Sequence, residues 1–427
     1  MFEFSVPTKV YQTPTLGVCV AGILEQAGAR QVGVMLDEQL LAAPPALELL
    51  GALENKVRVE RYPHHATLPT TALVDAYARA LRKRTPEFLL AIGGGTTLDL
   101  AKAVAALTLS EGSIEVYQGT GRRLGASIPT IMVPTTAGTG CEVSSTALLV
   151  HEATSAFQEV SAPSMAPRFA VLAPTLLTSL PQSLRAAEGL VAFAHAVEAW
   201  LSPKGSALTR VLALESIKSL RRSLPVVVED PSDLRAQGEV QLAATLAGIA
   251  LENSTRGLVA TIGHSIALLA PISFAQVVAR ALPALLRELC CSAESPSSGT
   301  ALEGPRAVHA DRGLLGEAVA GAGWSGVGGT CASAALQGLG VALLGTPPQG
   351  ESYACRQSAT RLANALLEPF ISAGLWRCLG EPVDVFGAGR TLRDAVAQRW
   401  KQSPALQIAG LTSASVERIL DGVGAGL

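Results

Sequence analysis

The sequence predicts an N-terminal α/β domain with a parallel sheet, followed by an all-α C-terminal domain. Two short apolar runs, Gln31–Leu36 and Phe88–Ile92, have the composition of buried strands. Between them lies Thr70–Arg84, where apolar residues recur at helical spacing. Strands that alternate with helices are typical of βαβ units, in which the strands run parallel.

Two further strand signals, Ile131–Val133 and Phe169–Leu172, extend the predicted sheet. From about Pro181 onward, long helical patterns replace the short apolar runs. We therefore predict a domain boundary near residue 178, with an α/β domain over 1–178 and a helical domain over 179–427.

The composition is that of a globular protein with reduced cysteines. A chain of 427 residues that is 48% hydrophobic can bury one large core or two medium ones. The net charge of -2 and the 16% content of charged residues provide no basic surface, so we predict no nucleic-acid partner. The seven cysteines never occur in a CxxC spacing. The start Met1–Phe4 does not resemble a signal peptide, and we expect a cytoplasmic protein.

One segment is long enough to raise the question of a membrane span. No Asp, Glu, Lys or Arg occurs between Arg256 and Arg280. The segment nevertheless contains His264, Pro271 and Gln276, and polar groups are poorly tolerated in lipid. We therefore expect a broken pair of buried helices there, and no membrane partner.

A glycine-rich turn follows the strand Phe88–Ile92 and opens into a helix. Backbone N–H groups and the positive end of the helix dipole meet at such a turn, which suits a pyrophosphate. An ordinary βα turn is the alternative, but the two threonines after the glycines favour phosphate binding. The candidate cofactor residues of this turn and of the helix that it opens are Gly93, Gly94, Gly95, Thr96, Thr97, Asp99 and Lys102.

A second candidate wall of the same site is Pro134–Glu142, where hydroxyls and glycines again follow a strand. An ordinary turn is the alternative here too. Its candidate cofactor residues are Thr135, Thr136, Thr139 and Cys141. Cys141 could act as a nucleophile, but a small buried residue is the favoured interpretation because cysteine is so often simply packed.

Asp37 ends the strand Gln31–Leu36, where a carboxylate can accept hydrogen bonds from an adenosine ribose and repel a 2′-phosphate. A solvated loop acid beside Glu38 is an equally good interpretation on spacing alone. Asp37 therefore favours NAD as the cofactor, with NADP possible.

Four motifs together resemble the iron-containing alcohol dehydrogenase family, closely through about Pro283. They are Phe4–Val10, Gly93–Lys102, Pro134–Glu142 and Ala194–Trp200. The resemblance implies a dinucleotide-binding N-terminal domain, a helical C-terminal domain, a homodimer, and a divalent metal held by one Asp and three His. In that family the metal polarises the oxygen of the alcohol or carbonyl while hydride moves to or from the nicotinamide.

The metal ligands implied by the resemblance are mostly missing from this chain. The Asp position is Val191, and the first His position, one helical turn later, is His195. The other two ligand positions are Ala260 and Phe274, while His264 occupies a place that is normally a non-ligand neighbour. One imidazole with three apolar side chains cannot form a first coordination shell, so we expect no metal.

These observations predict a metal-independent, NAD(P)-dependent oxidoreductase that transfers hydride between an alcohol and a carbonyl. Maleylacetate reductases, which are similar in fold, also manage without the usual iron site. His195 or His264 would donate the proton, unless both are histidines satisfied by helix packing. Val191, Ala260 and Phe274 would line an apolar pocket for a small-molecule substrate.

Two alternatives remain open from the sequence. The first is a repurposed non-redox enzyme on the same scaffold, such as a lyase, cyclase or isomerase of specialised metabolism. The second is a non-catalytic partner subunit.

Overall fold

The computed structural model describes residues 2–65, 68–117, 123–152, 156–202, 204–254, 258–267, 272–292, 339, 342–343, 356–379 and 418–420. The chain divides into two compact units. The sheet unit contains Ser5–Pro181 and Glu229–Glu252. The helical unit contains Met1–Phe4, Gln182–Val228 and the described part of Asn253–Leu427.

The sheet unit is built on six parallel strands in the order β1-β8-β5-β4-β2-β3. A separate hairpin of β6 and β7 is antiparallel and was not predicted. The strands are β1 (Lys9–Gln12), β2 (Gln31–Asp37), β3 (Arg58–His64), β4 (Phe88–Gly93), β5 (Thr130–Pro134), β6 (Thr146–His151), β7 (Ala156–Ser161) and β8 (Phe169–Leu172). The predicted parallel sheet, with its four strand segments, is confirmed.

Four helices of the sheet unit are α1 (Leu16–Gln26), α2 (Pro44–Glu54), α3 (Thr71–Arg82) and α4 (Gly95–Thr108). Strand β4 is buried along its whole length, as a parallel strand covered on both faces must be. Helix α4 directly follows β4, and every residue from Thr97 to Thr108 is buried. The glycine turn therefore lies between two of the most buried elements of the unit.

A fifth helix, α7 (Leu234–Glu252), joins the sheet unit although it lies far along the helical part of the sequence. The Gln12 side chain at the end of β1 donates to the Gly238 carbonyl at 2.8 Å. Gly140, with a φ of 68°, lies against Gly248 of α7 so closely that a Cβ on Gly248 would be 2.7 Å from the Gly140 Cα. The predicted boundary near residue 178 stays a prediction, and nothing in the sequence indicates this return of the chain.

The helical unit contains α5 (Gln182–Leu201), α6 (Ala207–Glu229), α8 (Leu258–Ala267), α9 (Phe274–Ser292) and α10 (Arg356–Ser372). Its core includes an edge-to-face pair of Phe193 and Phe370, with ring centroids 4.9 Å apart. The Trp376 indole donates to the Ala279 carbonyl of α9 at 3.0 Å. Within the charge-free segment, α8 and the start of α9 are separate helices, and none of the described helices is both long and apolar enough to span a membrane.

Replacing Gly248 with Ala is expected to destabilise the sheet unit by about 1–3 kcal/mol, because the new methyl group meets backbone atoms of Gly140 that cannot move alone. Urea unfolding would measure the change. The matched control is Gly51→Ala in α2, where nothing lies within 4 Å of the new Cβ and the gain in helix propensity is expected to stabilise by about 0.5–1 kcal/mol. Equal effects of the two substitutions would contradict the close contact.

Candidate functional site

The glycine turn presents the backbone N–H groups at the start of α4. Gly93 ends β4, and the carbonyl of Gly94 accepts the first helical hydrogen bond, from Leu98, at 3.1 Å. The N–H groups of the first turn of a helix have no partner within the helix, so they are available to an anion. Gly94, Gly95 and Thr96 are partly exposed, whereas Thr97 is buried. The first three of these residues are therefore accessible at the start of the helix.

The glycine turn and the Pro134–Glu142 loop, which were predicted to form two walls of one site, contact each other in the structure. The N–H of Thr135 donates to the Gly93 carbonyl at 3.0 Å, which places the second loop beside the glycine turn. A Cβ on Gly94 would be 3.4 Å from the Thr136 methyl group, and a Cβ on Gly95 would be 2.9 Å from Thr139 Oγ1. A side chain at position 95 would therefore require Thr139 to move, whereas a Cβ at position 94 would make an ordinary contact.

Helix α7 forms hydrogen bonds with the Pro134–Glu142 loop, a contact that the sequence did not indicate. The Gln241 amide donates to the Pro134 carbonyl at 3.1 Å. The Thr245 hydroxyl donates to Glu142 Oε1 at 2.7 Å. Burial raises the pKa of Glu142, while the Thr245 hydrogen bond opposes that shift.

Asp99 and Lys102 are directed toward the β6–β7 hairpin. The fully buried Lys102 ammonium lies 2.9 Å from Asp99 Oδ1 and donates to the carbonyls of Ser144 and Thr146. Asp99 Oδ2 accepts from the Leu148 N–H at 3.0 Å. These contacts fix the hairpin to α4, and the prediction that the two side chains contact a cofactor stays a prediction.

The Cys141 thiol is held in its neutral form. Burial, reinforced by the nearby charge of Asp99, raises the pKa of Cys141 to about 12. Only the thiolate is a strong nucleophile. The geometry supports the interpretation of Cys141 as a packed residue next to Gly95, where a Cβ would lie 3.5 Å from its sulfur.

Asp37 and His64 lie side by side at the carboxyl ends of β2 and β3, where they are paired in register. Asp37 Oδ1 accepts from the Gln39 N–H at 3.0 Å, which fixes the carboxylate at the strand end. His64 is only 4% exposed, and its Nε2 lies 3.0 Å from Thr97 Oγ1 of the glycine turn. The sequence analysis missed His64 because it did not predict β3.

The positions of the first two family ligands lie on consecutive turns of α5. Val191 is fully buried and His195 is 4% exposed. One turn later, Glu198 Oε1 accepts from the N–H of Val259 at the start of α8, at 2.7 Å. This hydrogen bond satisfies a donor at the helix terminus and ties α8 to α5.

Phe274 packs against His264. The two rings stack with centroids 4.1 Å apart and an interplanar angle of 25°. A Cβ on Gly263 would be 2.5 Å from the Phe274 ring, so the ring fits only because residue 263 is glycine. The side chain of Ala260 lies outside the described residues.

The residues at the four ligand positions do not fit a divalent cation. The side chains of Val191 and Phe274 contain no nitrogen, oxygen or sulfur donor, and neither does an alanine at position 260. Within the described part of the chain, no group of three or more His, Cys, Asp and Glu side chains is arranged to hold a metal ion. His195 would be the sole donor of the four.

Glu188 is a further residue that the sequence analysis missed. It lies on α5 seven residues before His195, a separation that places both on one face of the helix. Its Oε2 atom is shielded from solvent and accepts no hydrogen bond from any described residue. Burial raises the pKa of Glu188 to about 7. A lone acid within the otherwise apolar run 186–194 was the available signal.

Glu188→Gln is expected to remove a pH dependence of stability. The pKa of the Glu188 carboxyl group is about 7 in the folded protein, above its ordinary value of 4.5. The group therefore contributes stability that is fully present below pH 4.5 and is lost as the pH rises through 7. Relative to wild type, the variant should gain on the order of 2 kcal/mol between pH 4.5 and pH 8. Urea unfolding of wild type and variant at both pH values measures this gain. If the two proteins differ in unfolding free energy by the same amount at both pH values, the expectation is contradicted.

Two models of one protein family match the chain. Residues 7–174 match the iron-containing alcohol dehydrogenase model, and residues 185–294 match the C-terminal domain model of the same family. Together the two matches cover more than half of the 427 residues.

Curated relatives and solved structures agree with these matches. Alcohol dehydrogenase 4 of Saccharomyces cerevisiae is 31% identical over 213 residues, which are 50% of this chain and 56% of that protein. The NAD-dependent methanol dehydrogenase of Bacillus methanolicus is 28% identical over 244 residues, which are 57% of this chain and 64% of that protein. The chain thus spans less than two thirds of the length of both relatives.

The sulfoacetaldehyde reductase of Bifidobacterium kashiwanohense, whose crystal structure is a complex with NAD+, superimposes with a TM-score of 0.76 at 18% identity. That match covers 100% of this chain and 99% of the other, and it shows that the fold is shared. With a parallel sheet, a glycine turn before α4 and both family models matched in order, the chain belongs to the iron-containing alcohol dehydrogenase family.

Proposed function

We propose that this protein is an NAD-dependent oxidoreductase that interconverts an alcohol and a carbonyl compound. The observation that carries the proposal is the meeting of the Gly93–Thr97 turn with the Pro134–Glu142 loop at the start of α4. A partly exposed helix N-terminus lined by glycine backbone and threonine hydroxyls is suited to a pyrophosphate. The methanol dehydrogenase relative is named as NAD-dependent, which supports the same cofactor here.

The cofactor preference follows from Asp37. Its carboxylate is fixed at the end of β2, next to the strand that leads into the glycine turn. A negative charge there repels a 2′-phosphate and can accept hydrogen bonds from ribose hydroxyls. NAD is therefore the proposed cofactor, with NADP as a weaker ligand.

The proposed reaction does not depend on a divalent metal. With Val191 and Phe274 at two ligand positions, the implied ligand set has too few donors for a cation, so in the proposed reaction the developing oxyanion receives a proton instead. His195 and His264 are the proposed donors, and general-acid catalysis of this kind contributes about 10²–10⁴-fold. The Glu188 carboxyl group, with a pKa of about 7 on the same helix face as His195, is a third group able to hold a proton near neutral pH.

The proposed substrate is a small molecule with an apolar part. Val191, Ala260 and Phe274 contribute apolar side chains where relatives would hold a charged ion, and such side chains shape a pocket by van der Waals contact. A homodimer is the family-level expectation and belongs to the same proposal. The relatives bear the names of dehydrogenases and reductases, so they give no support to the non-redox enzyme or to the non-catalytic partner.

Calorimetric titration of chelator-treated protein tests the cofactor proposal. NADH is expected to bind, and to bind more tightly than NADPH, because Asp37 repels the 2′-phosphate. In the variant Asp37→Asn, the preference for NADH over NADPH should shrink.

Elemental analysis of the untreated protein should find no stoichiometric iron, zinc or nickel. Failure to bind either dinucleotide would contradict the cofactor proposal, and one equivalent of metal that His195→Ala removes would contradict metal independence.

His195→Phe and His264→Phe test the proton donors. If both imidazoles supply protons, each variant should lose at least about 10²-fold in turnover, while its affinity for NADH stays within a few-fold of wild type. Turnover is followed by NADH absorbance with the carbonyl compound that wild type reduces best in a screen. His151→Phe, in the β6–β7 hairpin of the sheet unit, is the control and should leave turnover unchanged. Full activity in both His195 and His264 variants would place the chemistry elsewhere.

A further inference from the structure

His64 reaches past a neighbouring strand to contact the glycine turn. In the sheet, β2 lies between β3, which ends with His64, and β4, which ends with Gly93. The imidazole nevertheless approaches Thr97 on α4, with Nε2 3.0 Å from the hydroxyl oxygen. The side chain must therefore cross beyond the carboxyl end of β2.

That place is the switch point of the sheet. From β2 the chain proceeds outward to β3, then returns to β4 on the other side of β2 and continues to β5. In open α/β sheets, ligands bind at the carboxyl ends of the strands where the strand order reverses in this way. The buried His64 imidazole thus lies at the edge where a dinucleotide is expected.

The hydrogen bonds of His64 fix the direction of its contact with Thr97. Nδ1 lies 2.7 Å from the His65 carbonyl oxygen, which can only accept, so Nδ1 carries a hydrogen. In the neutral imidazole the other nitrogen is then an acceptor. With the imidazole neutral, the Thr97 hydroxyl donates its hydrogen to His64 Nε2 and has none left to donate to a phosphate.

Thr97 in turn supports the backbone of the glycine turn. Its side chain occupies the space where a Cβ on Gly93 would be, and it is completely buried. A threonine held in one rotamer by a hydrogen bond thus keeps Gly93 and the first turn of α4 in a fixed geometry. The partly exposed residues at the helix start, Gly94, Gly95 and Thr96, take no part in this contact.

We propose that His64 is a positioning residue for the dinucleotide: by accepting the Thr97 hydroxyl hydrogen at the switch point, it preorganises the glycine turn for the pyrophosphate. The proposal rests on the proposed NAD site, which it deepens by assigning a role to a residue outside the glycine and threonine motifs. Preorganisation raises affinity because less ordering remains to be done when the ligand binds.

A double-mutant cycle on NADH affinity tests the proposal, using the full chain and calorimetry. His64→Phe keeps the ring volume but removes the acceptor, and Thr97→Val keeps the shape but removes the donor. Each is expected to raise the Kd for NADH about five- to tenfold. Because both break the same hydrogen bond, the double variant should be no weaker than either single variant.

Two controls separate positioning from a general effect on folding. His64→Gln retains an acceptor near the position of Nε2, so it should restore the Kd to within about threefold of wild type. His65→Phe, at the neighbouring residue whose side chain is 80% exposed, should leave the Kd unchanged. Thr97→Val and His64→Gln keep the proposal testable if His64→Phe does not fold.

The outcomes distinguish this proposal from the one on which it rests. If wild type binds NADH but His64→Phe and Thr97→Val leave the Kd within twofold, or if their losses simply add, the role of His64 is overturned and the cofactor site stands. If wild type binds neither NADH nor NADPH, the cofactor proposal fails and the role of His64 fails with it.

Discussion

The close contact between Gly140 and Gly248 is the constraint on which the candidate cofactor site depends. Residue 140 adopts a left-handed conformation, and the backbone of α7 lies directly against it because neither residue has a side chain. This approach lets the Gln241 amide reach the Pro134 carbonyl and lets Thr245 reach Glu142. Helix α7 thus holds the Pro134–Glu142 loop in place, and the threonines of that loop can face the glycine turn.

The helical unit packs an aromatic ring at position 274, one of the four positions where the family resemblance implies a metal ligand. Phe274 stacks on His264 and lies over Gly263, so the three residues form one packed arrangement. A small side chain at position 274 would leave a cavity, and an unpaired polar one would leave an unsatisfied group, either of which destabilises a protein. The aromatic ring avoids both, because it fills volume and needs no hydrogen bond.

Buried ionisable groups beside the glycine turn of the sheet unit either form an ion pair or have raised pKa values. Lys102 is paired with Asp99, and the two groups anchor the β6–β7 hairpin through backbone atoms. Burial raises the pKa values of Cys141 and Glu142 because a low dielectric disfavours the charged form. The positive end of α4 is therefore approached by a thiol that carries no negative charge, and remains suited to an anionic ligand.

The sequence by itself determined the strands β2, β4, β5 and β8, the two loops at their ends, and the absence of metal donors at Val191, Ala260 and Phe274. Periodicity, glycine spacing and side-chain type are local properties, so they can be read without coordinates. Only the tertiary structure decided that α7 supports a loop 107 residues away, that Lys102 is directed toward the hairpin, and that His64 reaches Thr97 past β2. Such contacts follow from how distant segments pack, and no local pattern in the chain records them.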